Sequence, residues 1–353
     1  MTSTVSIGGV AVGDGHPTVF MAEVGTFFNQ DIGLAKDLLR QVAAAGAPVF
    51  KSEILHDADA VVLAGTGLLH EYRHGQGTSV EDYRALMERK CNPLPRYAEL
   101  MQACADLGLP FVASIYDRKG ADFFADHGGA AIKIARSNID NLPLIRHSAG
   151  KGLPMIIDAG GVTLDEIARA VREAQDHGAG GVVINHHPGA NPAPPEVHNL
   201  VAIRRYKEFF GVPVGLACHY RGEELLYAAV GLGLNLIEKG VDLDPDRAEQ
   251  DLISAARLDG LADIIAKVNN CWAALGCFPV RPQEPRDLSG RAGMAARRNL
   301  AAGEAVSLDD VHFCFPPLGI SAGDWDRVAN ARLVRPVAAG QPVRWRDLGL
   351  EEG

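Results

Sequence analysis

Ala130-Ala131-Ile132-Lys133-Ile134-Ala135-Arg136-Ser137 is apolar and partly branched, the composition of a strand buried on both faces. Lys133 sits in its middle and Arg136 at its end. A lysine almost never enters a core unpaired, because removing water from its ammonium is costly or forces the group neutral. Either Lys133 is matched by a buried carboxylate, or it points into a cavity built to receive an anion. The choice depends on the other runs of the same kind.

There are eight such runs, at residues 18–25, 48–53, 110–116, 130–136, 154–161, 181–187, 213–220 and 234–240. Each is followed by a helical or loop-plus-helical segment. Ile32-Gly33-Leu34-Ala35-Lys36-Asp37-Leu38-Leu39 has helical amphipathicity. Thr163-Leu164-Asp165-Glu166-Ile167 opens with a threonine cap and a glutamate three residues on. Helix stops precede the strands at Gly46-Ala47-Pro48, Gly108-Leu109-Pro110, Gly152-Leu153-Pro154 and Gly211-Val212-Pro213. Strand, helix and glycine repeated eight times predict a (β/α)8 barrel, of TIM type, in the α/β class. A doubly wound sheet is the alternative, and the even spacing favours closure.

One interval, from Ile54 to about Asn92, is too long for a simple connection. It carries Gly65, Gly67, Gly75 and Gly77 with His70 and His74, and loops of this size are commonly lids or substrate loops. Residues 251–275 predict a long last helix that closes a barrel domain over 1–276. A proline-rich linker over 277–290 follows, with Pro279, Pro282 and Pro285. Residues 291–353, in short segments bounded by Gly303, Gly319, Gly323 and Gly340, predict a small second domain, mostly strands and turns.

Composition narrows the function. Hydrophobic residues are 47% of the 353 and charged ones 22%, as in ordinary globular proteins. A formal net charge of −10 gives no support to a nucleic-acid partner. No apolar run is long enough to span a bilayer, and Met1-Thr2-Ser3-Thr4 lacks a signal-peptide pattern. The six cysteines are scattered, with no C-x-x-C pair, so neither a disulfide framework nor a zinc site is expected, and a cytoplasmic setting is.

Barrel enzymes build their sites at the carboxyl ends of the strands. Here those ends carry Glu23, Lys51 and Glu53, Ser114 and Asp117, Lys133 and Arg136, Asp158, His186 and His187, His219, Glu238 and Lys239. Two lysines and an arginine at one mouth suggest a small, highly anionic substrate such as a phosphorylated carboxylate. His219 with His186 or His187 could hold a divalent metal. The bland alternatives are that Glu53 merely neutralises Lys51 and that Lys239 is a solvated rim charge.

In their order along the chain these motifs resemble the sialic acid synthase (N-acetylneuraminate synthase, NeuB-like) family. They are Ala22-Glu23-Val24-Gly25 with Asn29-Gln30-Asp31, Phe50-Lys51-Ser52-Glu53, Ile132-Lys133-Ile134-Ala135, Asn141-Leu142-Pro143-Leu144, Asn191-Pro192-Ala193-Pro194, Pro213-Val214-Gly215-Leu216-Ala217-Cys218-His219 and Ile237-Glu238-Lys239. Arg297-Arg298, Gly303-Glu304, Gly319-Ile320-Ser321 and Trp325 resemble the antifreeze-like (SAF) domain that follows the barrel in that family. The resemblance implies condensation of phosphoenolpyruvate with an aldehyde, an amino sugar in the family, to a 3-deoxy-2-keto acid, with loss of phosphate. It assigns Lys51, Lys133 and Ser114 to phosphoenolpyruvate, Glu23 to orientation or proton handling, His219 to a divalent metal (Mn or Mg), and Asp251 to the sugar. It also implies a homodimer in which the small domain covers the partner's barrel mouth.

The departures from the family pattern are specific. Gly240 stands where a second metal histidine is expected, and His187 is the candidate substitute. Arg136 replaces a serine and Asn138 an acid, while Ala217 and Cys218 replace Ser-Asp. Gly189 and Asn191 stand for Asn and Tyr, and Phe315 stands for the arginine expected from the small domain. Arg136 and His187 would then supply donor contacts that other positions lost. Glu53, Ser114, Arg136, Asn138, His186, His187, Glu238, Asp251 and Phe315 are the substrate-binding set. Two further functions stay open: an aldolase or lyase using Lys51 or Lys133 as a Schiff base, and a non-catalytic sugar-acid-binding protein. Cys218 is poorly placed as a nucleophile beside His219, because neighbours on a strand face opposite ways.

Overall fold

Val19–Gly25 (β1) and Leu236–Asp242 (β8) lie side by side in parallel register, Leu236 opposite Val19 and Gly240 opposite Glu23. Between them, in sheet order, run Val49–Ile54 (β2), Phe111–Ile115 (β3), Ala131–Ile134 (β4), Met155–Ala159 (β5), Val182–His186 (β6) and Val214–Ala217 (β7). Because β7 also pairs with β8, the parallel sheet closes into a barrel. Six of the eight predicted runs contain their strand, while β2 continues one residue past its run and β8 two. The computed structural model that gives this architecture describes residues 2–276 and 290–351. The proline-rich stretch 277–289 therefore lies outside the described residues. Two compact units divide between Gly276 and Cys277.

The crossover helices are Ile32–Ala44 (α1), Leu94–Asp106 (α2), Arg118–Asp126 (α3), Leu142–Ala149 (α4), Leu164–Asp176 (α5), Ala202–Phe210 (α6), Glu224–Gly231 (α7) and Leu261–Leu275 (α8). Their apolar faces follow the helical period. α5 buries Ile167, Ala170, Val171 and Ala174 and starts in a capping box between Thr163 and Glu166. α1 buries Ile32, Ala35, Leu38, Leu39 and Val42 against the outer face of the sheet. Each large side chain so buried contributes about 1.5–3 kcal/mol. Inside the barrel, Val19, Met21, Val49, Val112, Ala131, Ile156, Val183 and Leu236 pack with Val5, Ile7 and Val12 of an N-terminal hairpin. That hairpin plugs the amino-terminal end, so the carboxyl end is the open one.

One expectation needs correction. The last helix begins at Leu261; residues 251–260 instead form short 3-10 turns and the two-residue strand Ala256–Arg257, with Asp251 in the left-handed region at φ 68°. The long interval after β2 is an ordered hairpin, Leu69–His74 with Gly77–Asp82, followed by the helix Tyr83–Lys90. Leu55, Ala58, Val62, Leu86 and Met87 give it a small core of its own.

In the second unit Gly293–Ala296 pairs antiparallel with Val311–Cys314. Met294, Leu300, Val306, Val311, Ile320 and Val343 lie in its separate core.

Candidate active site

Strand alternation turns Glu23, Lys51, Lys133 and Glu238 toward the barrel axis, above the apolar plug. Glu23 and Lys51 are directly opposite in the β1–β2 pair. The register then slips between Glu23 and Gly25, a bulge at the carboxyl end, where such irregularities re-aim side chains. Ser114 is opposite both Glu53 and Lys133 in the next two pairings.

Lys133 is matched by buried carboxylates, and it also lines a cavity. Its Nζ donates to Glu238 Oε1 at 2.5 Å and lies 2.9 Å from Asp158 Oδ2. Lys51 Nζ donates to Glu23 and lies 3.3 Å from Glu238 Oε1 and 3.6 Å from Glu53 Oε1. Asn185 Nδ2 ties the acids together, donating to Asp158 Oδ1 at 2.8 Å and Glu238 Oε2 at 2.6 Å. A Cβ on Gly215, the neighbour on β7, would lie 2.5 Å from Asn185 Oδ1, so the amide occupies the space that a side chain there would need. Tyr116 donates its hydroxyl to Glu53 Oε2 at 2.6 Å.

The charge states follow from burial and partners. Burial pushes both lysines toward neutrality, but the surrounding carboxylates outweigh it and hold Lys51 and Lys133 protonated. Burial raises Glu23 to about 7, with Lys51 opposing. Asp158 is raised for the same reason, against Lys133. Glu238 is also desolvated, yet Lys133 and Lys51 together hold it well below the usual carboxylate range. The cluster thus has one firmly ionised acid and one, Glu23, that exchanges a proton near neutral pH.

These groups line a cavity of about 540 Å3, within the size range of small-molecule sites. Of the predicted residues, Glu23, Lys51, Glu53, Ser114, Lys133, Arg136, Asn138, His187, His219, Glu238 and Asp251 all line it. Arg136 is exposed at the mouth and, among the described residues, forms no ion pair. Gly161, at φ 66°, lies beside it.

His186 does not line the cavity. Its Nε2 donates to His198 O at 2.5 Å, and its ring packs edge-on against Tyr206 of α6. Asn185 and His187 share the inner face, so the residue between them faces the helices. Lys239 is neither in the cavity nor solvated: it is 1% exposed and donates to the carbonyls of Tyr220 and Gly222. Cys218 is buried on the helix side, as alternation requires. Phe315 belongs to the second unit, where it is 68% exposed. Tyr72, Tyr83, Lys90 and Gln250, which sequence reasoning missed, line the cavity from the insertion and from the loop after β8.

His187 and His219 meet edge to face, ring centroids 4.5 Å apart. Gly160 makes room for this, because a Cβ there would lie 2.8 Å from His187 Nδ1. Burial lowers His187 to about 2, reinforced by His219 and the cations, and burial lowers His219 to about 4 against Asp251; both rings are neutral. His219 Nδ1 donates to Ala190 O at 3.1 Å, which leaves the Nε2 lone pair free. Gly189 N donates to His187 Nδ1 at 2.9 Å, so His187 carries its proton on Nε2 and has no lone pair to offer there. A Cβ on Gly240 would already touch Phe27 and Ala255 at 3.4–3.5 Å. Among the described residues no three His, Cys, Asp or Glu side chains converge to hold a metal ion. The expected pairing of His219 with His187 as metal ligands does not fit this donor set.

Residues 38–278 match the model of the NeuB family, and residues 291–349 that of the SAF domain. The chain belongs to the NeuB family. Among its NeuB-family relatives is the N,N'-diacetyllegionaminic acid synthase of Legionella pneumophila, 25% identical with 99% of each chain covered. The spore coat polysaccharide biosynthesis protein SpsE of Bacillus subtilis is 26% identical, over 97% of this chain and 96% of that one. The N-acetylneuraminic acid synthetase of Leptospira borgpetersenii superposes with a TM-score of 0.72 at 22% identity, covering 80% of this chain and 93% of that one. No helix among the described residues is long and apolar enough to cross a membrane.

Proposed function

We propose that this NeuB-family chain condenses phosphoenolpyruvate with a sugar-like aldehyde, forming a 3-deoxy-2-keto acid and releasing phosphate. The observation that carries this is the pair of protonated lysines, Lys51 and Lys133, fixed on β2 and β4 in one cavity, with Arg136, unpaired among the described residues, at its mouth. A donor with a carboxylate and a phosphate needs several cations fixed before it arrives, so that no reorganisation is required as charge develops. In the reaction the enol π pair forms the new carbon–carbon bond and the aldehyde π pair moves to its oxygen, which takes a proton. Water then adds at the donor's C2, and expulsion of phosphate leaves the ketone. The protonated Glu23 carboxyl is suited to give the first proton, and the free Nε2 lone pair of His219 to accept one from the water.

A Schiff-base aldolase needs a neutral amine. Carboxylates hold both cavity lysines protonated, whereas Lys239, whose pKa burial lowers, is spent on loop carbonyls outside the cavity. By the family resemblance, a homodimer places the SAF domain over the partner's barrel mouth. The test is phosphate release from phosphoenolpyruvate across a panel of aldehydes, run beside borohydride reduction. Phosphate release without a reducible adduct supports the synthase; a reducible adduct without phosphate release replaces it with the aldolase.

A further inference from the structure

Lys90 and Glu249 form an ion pair at 2.7 Å with side chains only 3% and 4% exposed, yet neither belongs to the charge cluster on the strands. Lys90 ends the helix of the insertion after β2, and Glu249 lies in the loop after β8. Glu249 also accepts from Asn29 Nδ2 at 2.8 Å and from Gln250 N at 2.9 Å. Asn29 is left-handed at φ 49° and its carbonyl accepts from Asn92 Nδ2 at 2.6 Å, just beyond that helix. The carboxylate therefore gathers three segments of chain. Burial works against its ionised form, but Lys90 and these donors outweigh it.

The fastened loop carries Gln250 and Asp251. Asp251 is held in the left-handed region, which a non-glycine residue keeps only where its surroundings over-determine it. Asn191 Nδ2 reaches its carbonyl at 3.2 Å and its carboxylate at 3.1 Å. Gln250 Nε2 lies 3.3 Å from His70 Nε2 in the hairpin, and His70 packs on Tyr83 with centroids 4.9 Å apart. His70, Tyr83, Gln250, Asn191 and Asp251 all line the cavity.

We infer that the Lys90–Glu249 pair is a positioning device, which locks the insertion and the loop after β8 into one wall for the acceptor aldehyde. This rests on the synthase reading above. Ring faces beside amide and carboxylate groups suit the CH faces and hydroxyls of an uncharged polyol chain. Lys90 is spent on Glu249, so it offers no cation to a phosphorylated acceptor.

Losing one partner alone would bury an unmatched charge and could unfold the chain. The test is therefore the double variant Lys90→Met/Glu249→Gln, whose glutamine keeps the acceptor for Asn29 and Gln250. Phosphate release is measured with unphosphorylated aldoses and 2-acetamido-aldoses and with their terminal phosphates. The expected result is a rise of about tenfold in acceptor KM, with phosphoenolpyruvate affinity by calorimetry within about twofold and Lys90→Arg closer to wild type. Equal loss of affinity for both substrates, unchanged acceptor KM, or preference for the phosphorylated aldoses overturns the inference. If wild-type protein releases no phosphate with any aldehyde, the synthase reading fails. The clamp is still tested without substrate: amide exchange of residues 249–254 and 69–83 must accelerate in the double variant, and unchanged exchange there refutes it.

Discussion

Lys133 on β4 donates to Glu238 on β8 across the interior of the barrel, two strands that share no edge of the sheet. At 5% and 2% exposure neither charge is stable without partners, and Asp158 flanks the lysine as Lys51 flanks the glutamate. Lys133→Met should cost about 3–5 kcal/mol in urea unfolding, because it strands the buried carboxylate of Asp158. Adding Asp158→Asn should return most of that loss, since Glu238 keeps Lys51 and Asn185. Donor binding should stay lost in both variants. Recovery of phosphoenolpyruvate binding in the double variant would show that Lys133 serves the fold and not the donor.

Glu23 supplies a pH dependence with a definite sign. Its carboxyl is raised to about 7 by burial, against the pull of Lys51. An anion bound at Lys51 adds negative charge beside Glu23 and favours its protonated form, so binding takes up a proton. Phosphoenolpyruvate should therefore bind more tightly as pH falls from 8 to 6, with proton uptake visible by calorimetry in buffers of different ionisation heat. Glu23→Gln should flatten the protein's share of this dependence and bind the donor at least as tightly at pH 8. Proton release on binding would contradict the assignment.

The strands and the inner charges were legible in the sequence because both obey local rules. Eight apolar runs closed by Gly and Pro specify strand positions, whereas His186, expected in the substrate-binding set, faces the helices because strand alternation gives the inner face to Asn185 and His187. The insertion was visible only as an interval too long to be simple. Its service to the site comes from Lys90 meeting Glu249, a pairing 159 residues apart that no local pattern announces. The last helix was placed ten residues early because Leu252, Ala255 and Leu258 continue the apolar spacing of Leu261, Ile265 and Val268. The left-handed Asp251 and the 3-10 turns there are fixed instead by Asn191 and the insertion. Lys239 looked like a rim charge for a similar reason, since its partners are loop carbonyls and not acids.

Arg136 stands at the mouth with no carboxylate partner among the described residues. An unpaired cation beside Gly161 is available to the donor's phosphate. Arg136→Ala should raise the donor dissociation constant about tenfold or more, a loss of about 1.4 kcal/mol, with thermal stability unchanged. Arg136→Lys should recover only part, because a point charge replaces a two-pronged donor. Unchanged donor affinity in Arg136→Ala would place the phosphate elsewhere.

The histidine pair makes the last prediction. His219 presents a free Nε2 lone pair, but His187 has committed its Nδ1 to Gly189 N and holds its proton on Nε2. One nitrogen lone pair is far from the three or four ligands of a tight divalent site. Titration with manganese alone, followed by electron paramagnetic resonance, should therefore show no stoichiometric, EDTA-sensitive site in the wild-type protein. Nitrogen-15 spectra of histidine-labelled protein should show an Nε2-protonated ring whose signal is lost in His187→Gln. The partner that His219 lacks can be supplied at position 240, where a Cβ would sit 3.4–3.5 Å from Phe27 and Ala255, which crowd anything larger. Gly240→His together with Phe27→Ala should gain manganese affinity that the single Phe27→Ala variant lacks. Tight manganese binding by wild type, lost in both His187→Gln and His219→Gln, would show instead that His187 gives up its bond to Gly189 and ligates the ion.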